Sequence, residues 1–156
     1  MKDIEAALLQ LVYLVVDDNE TDRGHLAANL KGIGAKQVHA AASGTEALIL
    51  MKGLPHPVDL IVSDIRMPNG NGLQLLQALR AGQIKGMRMN ASFVCATAFP
   101  EVGIIQTASS LDANGFIAKP VNPTKFEAVI LKARRTVFPP NPSKHLEVFV
   151  PAEFGS

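Results

Sequence analysis

An α/β fold built on a parallel sheet is predicted by three features of the chain. Short apolar runs alternate with segments of helical periodicity, several runs are apolar almost without interruption, and turn residues stand between them. Strands covered on both faces have that continuous character, whereas half-exposed antiparallel strands alternate. The 156 residues, 47% of them hydrophobic and 19% charged, suit one globular domain with a short tail and not a disordered chain. Lys and Arg total 15 against 14 acidic residues, for a formal charge of +1, which argues against direct nucleic-acid binding through a basic field. Cys95, the single cysteine, permits no internal disulfide and no cysteine metal cluster, and its apolar surroundings mark it as a buried hydrophobe.

Taken in order, residues 1–10 form an N-terminal extension. The apolar run Ala6–Val16 is too short to span a bilayer. Asp3 and Glu5 before it and the acids after it do not fit a signal peptide, so a cytoplasmic protein without membrane contact is expected. Strands are predicted at Leu11–Val16, Gln37–Ala42, Leu60–Ser63, Ser92–Ala96 and Gly115–Ala118. A first helix, about Thr21–Lys31, presents Leu26, Ala27 and Leu30 on one face and stops at Gly32 and Gly34. The second opens with Ser43 and Glu46 in capping-box spacing and ends at Gly53. A third carries Leu73, Leu76 and Leu79 and closes at Gly82, followed by a solvated loop over Ala81–Ala91. The fourth, about Val102–Leu111, turns Ile104, Ile105 and Ala108 inward before the turn Asn114-Gly115. The fifth has Asn122 as N-cap, Pro123 at the first helical position, and Phe126, Val129, Ile130 and Ala133 as its buried stripe.

Strands joined by helices imply right-handed crossovers and helices on both faces. Five such units fit a flavodoxin-like doubly wound sheet of order 2-1-3-4-5, whose ligands sit beyond the carboxyl ends of the strands. The domain spans residues 11–137. Residues 138–156 read as a Pro-rich linker, Phe138-Pro139-Pro140-Asn141-Pro142, followed by a short strand at His145–Val150 that either lies on the domain surface or opens a further, truncated output domain. Phe154-Gly155-Ser156 reads as a cloning remnant. The four histidines, His25, His39, His56 and His145, lack ligand spacing and are expected as surface or partly buried neutral residues.

The strand ends carry the chemistry. Asp17 and Asp18 follow the first strand, Asp64 the third, Thr97 the fourth, and Lys119 with Pro120 the fifth. Any one of these has a bland explanation, such as a helix dipole or a surface charge. A parallel sheet brings all five to one edge. Two carboxylates about 4 Å apart repel by roughly 4 kcal/mol at an effective dielectric near 20, which calls for a proton or a cation. All-oxygen ligands without nearby Cys or His favour Mg²⁺. A cation beside Asp64, with Lys119 and Thr97 opposite, forms a receptacle for a dianionic phosphoryl group, which a carboxylate oxygen of Asp64 attacks to give an acyl phosphate.

Val15-Val16-Asp17-Asp18-Asn19-Glu20, Asp64-Ile65-Arg66-Met67-Pro68 with Gly72, Ala96-Thr97-Ala98 and Lys119-Pro120 together resemble the receiver domain of two-component response regulators, from about Leu11 to Arg135. The resemblance implies that Asp64 is the phosphoacceptor, charged by a histidine kinase or a histidine phosphotransfer protein. It implies Mg²⁺ ligation by Asp18, Asp64 and the backbone carbonyl of Arg66, with Asp17 acting mainly through a bound water. Lys119 would pair with phosphoryl and carboxylate oxygens, on a Lys-Pro peptide that is characteristically cis. Thr97 and Phe116 would move inward together as switch residues. That movement would remodel the face of the fourth helix, fifth strand and fifth helix toward an output domain or downstream protein, with homodimerisation left open. Only self-phosphotransfer and autodephosphorylation are expected, not conventional enzyme turnover.

Two positions depart from the common pattern. Gly70 stands where an apolar residue is frequent, and Phe116 replaces a frequent Tyr, keeping the ring without its hydroxyl. Arg66 and Phe99 flank the expected water path and are assigned to tuning phosphoryl lifetime. Two aspartates after the first strand would repel the phosphate of an FMN carrier, and a haloacid-dehalogenase-like phosphatase would need Asp-x-Asp there. The remaining alternative is a pseudo-receiver acting as a constitutive protein-binding module.

Overall fold

The computed structural model describes residues 2–152. Its elements run α1 (Lys2–Leu9), β1 (Val12–Val16), α2 (Glu20–Gly32), β2 (Gln37–Ala41), α3 (Gly44–Gly53), β3 (Leu60–Ser63), α4 (Gly72–Arg80), β4 (Ser92–Thr97), α5 (Val102–Ser110), β5 (Gly115–Ala118), α6 (Pro123–Arg135) and α7 (Pro142–Leu146). The five strands are parallel in the order β2-β1-β3-β4-β5, the flavodoxin-like arrangement expected from the alternation. Phe154-Gly155-Ser156, read from sequence as a cloning remnant, lies outside the described residues.

Side-chain alternation along the central strands sorts the core into two layers. Tyr13, Val15, Leu60, Val62, Val94 and Ala96 face one way and pack with Leu9, with Leu26 and Leu30 of α2, and with Phe126, Ile130 and Ala133 of α6. Leu14, Val16, Ile61, Phe93 and Cys95 face the other way, against α3, α4 and α5. Every residue of β3 and β4 is buried, while the edge strands β2 and β5 are only partly covered. Cys95 is fully buried, which pushes its thiol up to about 12. Side-chain oxygens of Asn19, Ser43, Asn71 and Asn122 accept the N-terminal amides of α2, α3, α4 and α6, so each crossover helix but α5 starts with a side-chain cap.

The structure departs from expectation in three places. Within the N-terminal extension, for which the sequence predicts no element, Lys2–Leu9 forms the helix α1. α1 lies against α6 and brings Leu9 into the core. The segment Ala81–Ala91 is a loop that exposes Gln83, Lys85 and Arg88, but it also does what a merely solvated loop would not: it wraps the guanidinium of Arg80, a residue 1% exposed. Arg80 Nη1 donates to the carbonyls of Met89 (2.8 Å) and Ala91 (2.7 Å), and Nη2 to Asp112 O and Asn114 Oδ1, both at 2.8 Å. Burial lowers its pKa to about 10, so it stays charged at neutral pH.

Finally, His145–Val150 is not a strand. Asn141 caps, and Pro142 begins, the short helix α7, and the following residues lie along α4. Asn-Pro at a helix start explains this, since the proline ring presets the first turn and its missing N–H is not needed there. Nor is His145 at the surface; it is 1% exposed, with Nε2 2.8 Å from Asp112 Oδ2.

Candidate functional site

The carboxyl edge of the sheet is assembled by the ladder itself. Asp17 N–H donates to Ala41 O at 3.1 Å and Asp64 N–H to Val16 O at 2.8 Å, carrying the pairing one residue past β1 and β3. Lys119 N–H donates to Thr97 O at 2.9 Å, doing the same beyond β5. The backbone thus fixes where the acids and the lysine leave the sheet. Asp17, Asp18 and Asp64 each offer a carboxylate oxygen, and those oxygens all lie within 4.8 Å of one another. Asp17 is fully buried, Asp64 nearly so, and Asp18 is exposed.

Lys119 reaches this cluster from the far side of the sheet. Its Nζ lies 2.8 Å from Asp17 Oδ2, 3.1 Å from Asp22 Oδ2 and 3.2 Å from Asp64 Oδ2. Burial would lower the Lys119 pKa, but the bond to Asp17 and the field of Asp64 outweigh it and hold the ammonium well above its usual range. For Asp64 the balance runs the other way. Burial lifts its carboxyl above the usual value, Lys119 opposes that, and Asp17 reinforces it. Asp64 Oδ1 also accepts the Ile65 N–H at 2.7 Å, and Asn19 N–H binds Asp17 Oδ1 at 2.9 Å.

The acceptor loop closes tightly behind Asp64. Gly72 N–H donates to Ile65 O at 2.9 Å, and a Cβ on Gly72 would stand 2.2 Å from Asp64 O. Only glycine fits there. Thr97, 4% exposed, ends β4 with its Oγ1 accepting the Phe99 N–H at 3.1 Å. Phe116, paired with Cys95 across the sheet, is half-buried against the α3–α4–α5 layer. The Lys119-Pro120 peptide is cis. The Arg66 side chain ion-pairs with Glu101 at the start of α5, and Phe99 is exposed at that rim.

The structure therefore brings Asp17, Asp18, Asp64 and Lys119 into one cluster and sets Thr97 on the adjacent strand end. Asp22 was missed from sequence. In the first turn of α2 it resembles an ordinary dipole-matching acid, although its helix starts at the carboxyl edge. Glu101 was missed too, since nothing local couples it to Arg66. Hard carboxylate oxygens this close, with more negative groups than Lys119 alone offsets, fit a small divalent cation such as Mg²⁺.

Such a sheet, with acids and a lysine converging beyond its strands, places the molecule among the receiver modules of two-component signalling. The chain belongs to the response regulator receiver domain family, whose sequence profile matches residues 13–131. It is 35% identical over 117 residues to a probable chemotaxis protein CheY of Rhizobium etli, covering 75% of this chain and 87% of that protein. It is 35% identical over 124 residues to a probable transcriptional regulator ycf27 of Porphyridium aerugineum, covering 80% of this chain but 48% of the relative. Among solved structures, chemotaxis protein CheY4 of Vibrio cholerae matches with a TM-score of 0.70 at 25% identity, over 80% of this chain and 98% of that one. Among the described residues no helix is long and apolar enough to cross a membrane.

Proposed function

We propose that the chain is a phosphorylation-dependent receiver in which Asp64 takes a phosphoryl group from a histidine kinase or a histidine phosphotransfer protein and thereby changes the surface offered to an output domain or downstream protein. The observation that carries this reading is the Lys119 ammonium 3.2 Å from Asp64 Oδ2, within a cluster whose three carboxylate oxygens lie inside 4.8 Å. Mg²⁺, held by Asp18, Asp64 and the Arg66 carbonyl with Asp17 acting through water, would supply compact positive charge against the phosphoryl oxygens.

The protein's own groups do the rest. Asp64 is the nucleophile, and an ionised carboxylate needs no general base. Lys119 holds that carboxylate in place and meets the incoming negative charge. The bond that Thr97 Oγ1 accepts from Phe99 uses a lone pair, which keeps its O–H for a phosphoryl oxygen. Inward movement of Thr97 and the half-buried Phe116 would transmit the change to the face of α5, β5 and α6. Arg66 and Phe99, at the rim, would set how readily water reaches the acyl phosphate.

Fluorine NMR with beryllofluoride, an acyl-phosphate mimic, tests the reading. Stoichiometric binding that requires Mg²⁺, weakens in Lys119→Ala and disappears in Asp64→Asn is expected. No binding by the wild-type chain would remove phosphoryl switching and leave a constitutive protein-binding module.

A further inference from the structure

We propose that residues 141–152 form a strap along α4 that is held by the acceptor loop through Asn71 and released when Asp64 is phosphorylated. This rests on the reading of Asp64 given above. The strap is fastened at three levels. At its start, Lys144 Nζ and His145 Nε2 lie 3.2 and 2.8 Å from Asp112 Oδ2. Halfway, Gln77 Nε2 donates to His145 O at 2.9 Å and Val148 O at 2.8 Å. At its end, Asn71 Nδ2 donates to Pro151 O at 2.9 Å and Ala152 O at 3.2 Å. Asp112 precedes β5, so the strap climbs from the amino edge of the sheet to the edge that bears Asp64. Val148 and Val150 pack on the core, while Leu146 and Phe149 face outward, 55% and 82% exposed.

The upper fastening is tied to the acceptor by direct contacts. Asn71 is the N-cap of α4. Its Oδ1 accepts the Gln74 N–H at 2.9 Å, and its own N–H binds Gln74 Oε1 at 2.9 Å. With the oxygen committed to the helix, the amide NH₂ must point at the strap, so a turned cap breaks both bonds together. The next residue, Gly72, binds Ile65 O, and Ile65 N–H binds Asp64 Oδ1. Asp64, Ile65, Gly72, Asn71 and Ala152 thus form a continuous line.

Phosphorylation forms an O–P bond at a carboxylate oxygen of Asp64 as the donor's P–N bond breaks, and the leaving imidazole nitrogen keeps that bond's electron pair. The carboxylate loses its delocalised charge and becomes a weaker acceptor for Ile65 N–H. A loop already in van der Waals contact with Asp64 O must then readjust, and the cap at Asn71 is its far end. Gln77 and Asn71 hold carbonyl oxygens only, so the grip depends on the position of the strap's backbone.

The experiment combines fluorine NMR of Mg²⁺–beryllofluoride with hydrogen–deuterium exchange on the full chain. Strap amides 145, 147 and 148, each bonded within the segment, should exchange about tenfold faster in the complex, while α6 is unchanged. Asn71→Ser keeps a capping oxygen but loses the amide donor. It should show fast strap exchange without beryllofluoride and bind it at least as tightly as the wild type, because a strap loosened by occupancy of Asp64 must, once loose, favour that occupancy. Bound beryllofluoride with strap exchange within about twofold of the free protein overturns the strap proposal and leaves the Asp64 reading intact. Absence of beryllofluoride binding overturns both.

Discussion

Removing the acceptor's charge should stabilise the metal-free protein. In Asp64→Asn the lost attraction is that to Lys119 Nζ at 3.2 Å, about 5 kcal/mol at an effective dielectric near 20. The lost repulsions come from Asp17 and Asp18, whose oxygens lie within 4.8 Å, and each is worth about 3.5 kcal/mol on the same scale. Solvent screening of the exposed Asp18 reduces its share, and the two sides then nearly cancel. Burial of the Asp64 carboxylate decides the sign, because the asparagine avoids that desolvation while its oxygen still accepts the Ile65 N–H. The amide NH₂ facing the Lys119 ammonium returns part of the gain. A net stabilisation of about 1–2 kcal/mol is expected, or about 3–6 °C in Tm for a chain of this size.

The pH dependence follows from the same shift. A carboxyl raised by burial binds its proton more tightly in the folded state than in the unfolded one. Its destabilising effect is therefore full above the folded pKa and vanishes below the unfolded value, about 3.9. Thermal unfolding followed by circular dichroism in EDTA should show the variant's advantage at pH 7 and its loss toward pH 4. Added Mg²⁺ should raise the wild type more than the variant. An Asp64→Asn protein less stable than the wild type at pH 7 in EDTA would refute the electrostatic account of the site.

Two further perturbations test the scaffold. Arg80→Met leaves the carbonyls of Met89, Ala91 and Asp112 without their buried donor, and should lower urea stability by about 3–5 kcal/mol. Arg80→Lys should recover less than half of that, since a compact ammonium does not span the same acceptors. Gly72→Ala must push the start of α4 away from Asp64 O and should cost about 2 kcal/mol or more, with weaker Mg²⁺ binding by calorimetry. Gly24→Ala, in α2 with nothing within 4 Å of the new methyl, should instead stabilise by about 0.5–1 kcal/mol in the same unfolding assay.

The sheet was legible because its central strands are buried on both faces and announce themselves as unbroken apolar runs. The convergence of Asp17, Asp18, Asp64 and Lys119 followed from topology, since parallel strands send all their carboxyl ends to one edge. What escaped notice depends on contacts distant in sequence. Arg80 closes α4 where a base is expected from the helix dipole, and only the fold reveals that it is enclosed by Met89, Ala91 and Asp112. The boundary between extension and first strand falls within one residue of expectation, but α1 spans only eight residues, too few for a helical period to stand out. The tail misled for a different reason. Asn141-Pro142 repeats the helix-start signature read at Asn122-Pro123, but two preceding prolines made it look like linker. The alternating Val148 and Val150 then imitated a strand, although they pack on a helix and not in a ladder.

Intact-mass spectrometry after incubation with a phosphoryl donor and Mg²⁺ tests the central claim most directly. One adduct of about 80 daltons, the mass of a single phosphoryl group, should appear, map to Asp64 after borohydride trapping, and be absent from Asp64→Asn. An unmodified wild-type chain in the presence of a competent donor, or an equal adduct on the Asp64→Asn variant, would contradict it.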